Sequence, residues 1–171
     1  HIREIGADGR FYNGLQESDI IGENGLKDLG IEHVKPFFTR GILIDMVTQR
    51  GGPMDAGDVI TVTDIEAALD WHDIAEPGRG DVVVFHTGWG RHWLSDQQTY
   101  LAGTPGLGAE AAAWLVERGV ALVGADTWSI EMQPVDSPHA FPLHLLFLQK
   151  NGIFIHENLE TERRIDADIA E

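Results

Sequence analysis

Asp81-Val-Val-Val-Phe-His-Thr87 is the stretch on which the fold turns. Three β-branched valines and a phenylalanine follow one another with no polar residue between them. A strand built from them would be apolar on both faces, and such strands lie inside sheets covered by helices on either side; a strand with one wet face alternates instead. Three other stretches read alike: residues 41–47 (Gly-Ile-Leu-Ile-Asp-Met-Val), 120–126 (Val-Ala-Leu-Val-Gly-Ala-Asp) and 152–156 (Gly-Ile-Phe-Ile-His). Helix signals fall between them. Thr63-Asp-Ile-Glu66 has the spacing of a capping box, with Ile65, Ala68 and Leu69 following at helical intervals. Residues 108–118 are alanine-rich, carry Glu110 near the start and Arg118 near the end, and stop at Gly119. Residues 143–150 form a third helix, with Pro142 suited to its first turn and Asn151-Gly152 to its end. Strands alternating with helices predict an α/β fold with a mixed or parallel sheet and flanking helices.

With 171 residues, no linker and no internal repeat, the chain reads as one domain over residues 1–171. Residues 1–40 are irregular and rich in Gly, Asp and Phe, as expected of a functional or covering segment that packs through Phe11, Tyr12, Phe37 and Phe38. Twelve Lys and Arg against 28 Asp and Glu give a net charge of −16. That balance opposes both a nucleic-acid partner and an anionic membrane surface, since each is held by cationic side chains. The absence of cysteine excludes disulfides, cysteine zinc knuckles and thiol nucleophiles. No apolar run is long enough to span a bilayer, no signal peptide is visible, and a cytoplasmic location is the default expectation.

The sequence has no Gly-x-Ser-x-Gly elbow, P-loop or Gly-x-Gly-x-x-Gly. His156-Glu-Asn-Leu-Glu160 opens like a zinc-protease helix but closes on Glu and follows a strand. What remains is histidine and carboxylate. The eight histidines are 1, 33, 72, 86, 92, 139, 144 and 156. Imidazole and carboxylate are the groups that bind zinc or manganese where thiolates are missing. His86 ends a buried strand and reads as structural or as a support to ligands. Asp126-Thr-Trp-Ser129 reads equally as a turn or as a segment that orients ligands or contacts substrate. His33, His72 and His92 lie in polar surroundings and receive no role.

Phe11-Tyr-Asn-Gly14, Arg40-Gly-Ile-Leu-Ile-Asp45, Gly80-Asp-Val-Val-Val-Phe-His-Thr-Gly-Trp89, Pro105-Gly-Leu107, Gly124-Ala-Asp-Thr127 and His156-Glu-Asn-Leu159 occur in the order and approximate spacing of the cyclase family. The chain thus resembles a family that includes kynurenine formamidases (arylformamidases) and isatin hydrolases. The resemblance implies a swivelling β/β/α-type domain, assembly as a homo-oligomer (dimer or tetramer), and a small-molecule substrate. It also implies an upstream His-x-Gly-Thr-His-x-Asp block that would supply at least three further ligands, and a continuation past Glu171, so that the chain is expected to be incomplete at both ends. His1 matches the histidine that closes that block, which the resemblance implies is a catalytic acid/base or an additional metal contact. His144 and Glu157 match the later metal ligands, with His139 as the runner-up for the histidine. A helix near His144, followed by a reversal at Asn151-Gly152, would return a strand alongside and bring Glu157 toward the first turn of that helix.

Trp89 and Trp93, with Phe11 and Tyr12, are candidates to wall an aromatic substrate pocket. The expected activity is metal-dependent hydrolysis of a carbon–nitrogen amide bond in an aryl formamide or cyclic amide, with zinc or manganese as cofactor. Two alternatives stand beside it: a lactone or cyclic-imide hydrolase with the same machinery, and a non-catalytic binding or structural member with a degenerate site.

Overall fold

The computed structural model describes residues 9–23 and 25–162. A one-turn helix α1 (Glu17–Ile20) leads into an antiparallel pair, β1 (Ile21–Gly22) and β2 (Gly25–Leu26). There follow β3 (Gly41–Asp45), α2 (Met46–Arg50), β4 (Val59–Ile60), α3 (Val62–Trp71), β5 (Val82–His86) and α4 (Gln97–Ala102). The chain continues through β6 (Gly106–Leu107), α5 (Ala109–Arg118), β7 (Leu122–Ala125), α6 (Pro142–His144) and β8 (Phe154–His156).

Strands β3, β5, β7 and β8 form a four-stranded sheet in that order, every neighbour parallel. The α/β expectation holds. Antiparallel pairing lies outside this sheet, in β1–β2 and in single bridges such as Thr104 with Gln133. Four successive residues of β3, Ile42 to Asp45, are buried, as are all four of β7. This is the two-faced burial that their unbroken apolar runs demand. Ile65, Ala68 and Leu69 of α3 and Ala111, Ala112 and Leu115 of α5 join Ile42, Ile44, Val83, Phe85 and Val123 in one core.

The elements differ from the sequence reading at their ends, for local reasons. Residues 46 and 47 leave the sheet because the Asp45 carboxylate accepts the Thr48 N–H at 3.0 Å and starts α2. The capping box is Thr61 with Asp64, not Thr63 with Glu66. Two Thr-x-x-acid registers overlap here, and Arg50 decides between them by binding the Asp64 carboxylate at 2.9 Å. The helix expected over 143–150 is one α-turn that widens into π-helical turns over Leu145–Lys150. In the N-terminal segment Phe11 is buried and Phe37 meets Phe154 edge-on at 5.3 Å. Phe38, expected to pack, is fully exposed instead.

A second, smaller parallel pair was not legible in the sequence. β4 pairs with β6, and Leu107 of β6 bridges in parallel to Glu131. This places residues 130–132 against Gly106 so closely that a Cβ there would lie 2.5 Å from the Glu131 carbonyl carbon and the Met132 nitrogen.

Candidate metal centre

Glu131, His144 and Glu157 converge, each presenting a ligand atom within 4.8 Å of the others. Three separate elements bring them together. The strand-like segment bearing Glu131 is held by the Leu107 N–H, which donates to the Ile130 carbonyl at 2.9 Å. His144 is the third residue of α6, where Pro142 sets the first turn. Glu157 follows β8, and the turn after it is tied to the end of β7: Asn158 N–H donates to the Thr127 carbonyl at 2.8 Å and Leu159 N–H to the Ala125 carbonyl at 3.0 Å. The cluster therefore sits beyond the carboxyl ends of parallel strands, where α/β sheets open into crevices.

Glu131 is buried, 1% exposed, and its carboxylate is crowded with donors. One oxygen, Oε1, accepts from the backbone N–H groups of Leu143 at 3.0 Å and His144 at 3.3 Å. The other, Oε2, accepts from the Ser129 hydroxyl at 2.9 Å and lies 2.7 Å from His144 Nδ1. Burial pushes this carboxyl up, but the hydrogen bond and charge of His144, with the Ser129 hydroxyl, outweigh it and leave the group below its ordinary value.

The far nitrogen of the same ring, His144 Nε2, lies 3.5 Å from Glu157 Oε1. That oxygen accepts the Ile130 N–H at 2.7 Å. Burial pushes the Glu157 carboxyl above its ordinary value; His144 and the Ile130 N–H oppose the rise, and the Glu131 charge adds to it. A half-buried carboxylate that is disfavoured as an anion gains strongly from a cation placed beside it. An imidazole nitrogen and a carboxylate oxygen are donors suited to zinc or manganese.

The remaining sequence candidates fall elsewhere. His1 lies outside the described residues. His139 is exposed and stands apart from the cluster, its backbone N–H on the Ser137 hydroxyl. Trp93 lines a cavity of about 320 Å³ with Leu94, Tyr100, Asp126, Asn158 and Leu159, beside the turn that carries Glu157. Trp89 is buried rather than facing that cavity, and its indole N–H donates to the Tyr100 carbonyl at 3.3 Å. Phe11 and Tyr12 line a separate groove of about 560 Å³ with Phe37, Leu148 and Phe154, at the opposite end of β8 from Glu157. His86 Nδ1 lies 2.7 Å from the Thr161 hydroxyl, and Asp126 accepts from the Thr87 N–H at 2.9 Å, the Thr87 hydroxyl at 2.7 Å and the Gly90 N–H at 3.2 Å. Asp126 thus holds the loop after β5, and His86 ties the end of that strand to Thr161.

Glu131 itself was missed. Its signal was an acid set between Ile130 and Met132, two residues beyond Ser129, in a segment otherwise poor in charge.

The family model described as "Putative cyclase" matches residues 16–132. The chain belongs to the cyclase family. A solved structure described as a novel cyclase is 32% identical, with a TM-score of 0.83 over 94% of this chain and 55% of that one. Isatin hydrolase A from Ralstonia solanacearum is 25% identical, with a TM-score of 0.61 over 80% of this chain and 51% of that one. An isatin hydrolase bound to the product analogue thioisatinate, 20% identical, shares the fold with a TM-score of 0.58 over 91% of this chain and 54% of that one. The chain thus spans about half the length of these family structures. No curated protein matches it. Among the described residues no helix is long and apolar enough to cross a membrane.

Proposed function

We propose that this chain is the part of a metal-dependent hydrolase that contributes His144 and Glu157 as ligands to a divalent ion, zinc or manganese. The observation that carries the reading is the convergence of an imidazole and two carboxylates from three separate elements at the carboxyl end of the sheet. A divalent ion there would supply Lewis acidity and lower the pKa of water toward neutrality. The residues of this chain hold the site in shape. Glu157 and the His144 Nε2 nitrogen face each other, the Ile130 N–H fixes the Glu157 carboxylate, and Ile130 and Glu131 are buried behind them.

The reaction in this reading is cleavage of a carbon–nitrogen amide bond in a cyclic amide or aryl formamide. Similarity to an isatin hydrolase supports the cyclic amide. The cavity beside Asn158 offers Trp93, Leu94, Tyr100 and Leu159 as an apolar wall for a small ring, with Asp126, Asn158, Glu160, Thr161 and Glu162 as its polar lining. His1 is the candidate to carry the proton to the departing amine, on the family resemblance. The test is hydrolysis of isatin and of an aryl formamide by the full-length protein supplied with zinc or manganese, beside Glu157→Gln. Turnover of either substrate that is lost with Glu157→Gln supports the reading; no turnover of any amide with either metal refutes it.

A further inference from the structure

The three converging side chains are not equivalent, and their hydrogen bonds tell them apart. An ionised carboxylate offers about four lone-pair sites and no donor. At Glu131 all four are taken, by the N–H groups of Leu143 and His144 on one oxygen, and by the Ser129 hydroxyl and His144 Nδ1 on the other. A metal bound to Glu131 would have to displace one of these bonds. Glu157, by contrast, has one N–H donor on Oε1, and among the described residues no donor occupies its Oε2.

We infer that Glu131 is a positioning residue rather than a ligand: it fixes the His144 ring with the proton on Nδ1, so that Nε2 is presented as a metal-binding nitrogen. Three features of the geometry support this. The carboxylate can only accept, so the 2.7 Å contact requires a proton on Nδ1. The same carboxylate caps the N–H groups of the second and third residues of α6, a task that Phe141 at the N-cap position does not perform, so ring and backbone of His144 are fixed by one group. The ring is further held edge-on by Phe141 at 5.1 Å. Carboxylate–histidine pairs of this kind orient metal-bound imidazoles and set their tautomer.

Glu131→Gln separates the two roles. One oxygen becomes an NH₂ donor. The backbone N–H groups of Leu143 and His144 cannot turn away, so the remaining carbonyl oxygen faces them and the NH₂ faces Ser129 and His144 Nδ1. The serine hydroxyl can rotate to accept. The imidazole can accept only by moving its proton to Nε2, the nitrogen a metal would use.

The inference rests on the metal-site reading only for its purpose; its first test needs no metal. The nitrogen-15 spectrum of the metal-free full-length protein, with the His144 signals assigned by their loss in His144→Gln, reports which nitrogen is protonated. A pyrrole-type signal at Nδ1 supports the inference, and an unprotonated Nδ1 overturns it, whether or not Glu131→Gln folds. In Glu131→Gln the proton is expected at Nε2. Cobalt titration is then the second test. The expected result is affinity weakened by about 10–100-fold with the visible cobalt bands of the wild type preserved, as for loss of a supporting residue. Bands that change to report a lost ligand would make Glu131 a ligand and overturn the inference. A wild type that binds no cobalt, zinc or manganese would sink the proposed function while leaving the tautomer result standing.

Discussion

Replacing Gly106 by alanine should damage the metal site from a distance. The added Cβ would lie 2.5 Å from two backbone atoms of the 131–132 peptide and 2.7 Å from the Ile130 carbonyl oxygen. These are main-chain atoms that cannot swing aside as a side chain would. To reach ordinary contact the segment must withdraw by about 1 Å, which strains the Leu107 N–H bond to Ile130 and carries Glu131 with it. Overpacking of this kind costs about 1–3 kcal/mol. For a chain of this size that lowers Tm by roughly 3–10 °C. Displacing the group that orients His144 should also weaken zinc or manganese binding by about 10-fold or more. Differential scanning calorimetry and metal titration read the two effects. Gly41→Ala is the control, because nothing lies within 4 Å of its added Cβ, and it should stay within about 0.5 kcal/mol of the wild type. A Gly106→Ala protein with unchanged Tm and unchanged metal affinity would mean that the contact at residue 106 does not set the position of Glu131.

Asp126→Ala leaves the Thr87 N–H, the Thr87 hydroxyl and the Gly90 N–H without their acceptor in a buried loop, and should destabilise the fold by about 3 kcal/mol or more, read as a shift of the urea midpoint. Thr61→Ala removes the exposed half of the α3 capping box and should cost about 1 kcal/mol, whereas Thr63→Ala should cost far less; equal effects by urea unfolding would count against the assigned register. Tyr100 is pushed from 10.0 up to about 12, first by burial and then by the charges of Asp126 and Glu157. Because the folded value is the higher one, its contribution to stability is complete below pH 10 and is lost as pH rises through about 12. Wild type should therefore lose stability across that window more steeply than Tyr100→Phe, and parallel pH profiles would contradict the assignment.

The sheet was legible because β3 and β7 are buried on both faces and β5 is largely covered, while the edge strand β8 is only half-buried. Residues 82–85 and 122–125 show this as short unbroken apolar runs, set between helix and turn signals. Strand ends were less legible, since they depend on single side chains such as Asp45, whose capping of α2 competes with two more residues of strand. The Thr61–Asp64 register was hidden because a second Thr-x-x-acid lies two residues on, and only Arg50, 14 residues before Asp64 in sequence, selects between them. His144 and Glu157 were named from the order of family motifs, and the structure brings their side chains together. Glu131 escaped because its partners are a helix start 12 residues away and a short strand, β6, that carries only two residues and no periodic signal. The four aromatic candidates could not be sorted by residue type alone, and burial divides them: Trp89 goes to the interior, Trp93 to the cavity beside Asn158, and Phe11 and Tyr12 to a groove at the other end of β8.

The central claim is that His144 and Glu157 bind a metal, and metal content is its most direct test. Elemental analysis of the full-length protein, beside a folded His144→Ala/Glu157→Ala double variant of matched circular dichroism, compares the two. Stoichiometric zinc or manganese is expected in the wild type and is expected to be lost in the double variant. A wild type without metal even after incubation with both ions, or a double variant that retains its full complement, would contradict the claim.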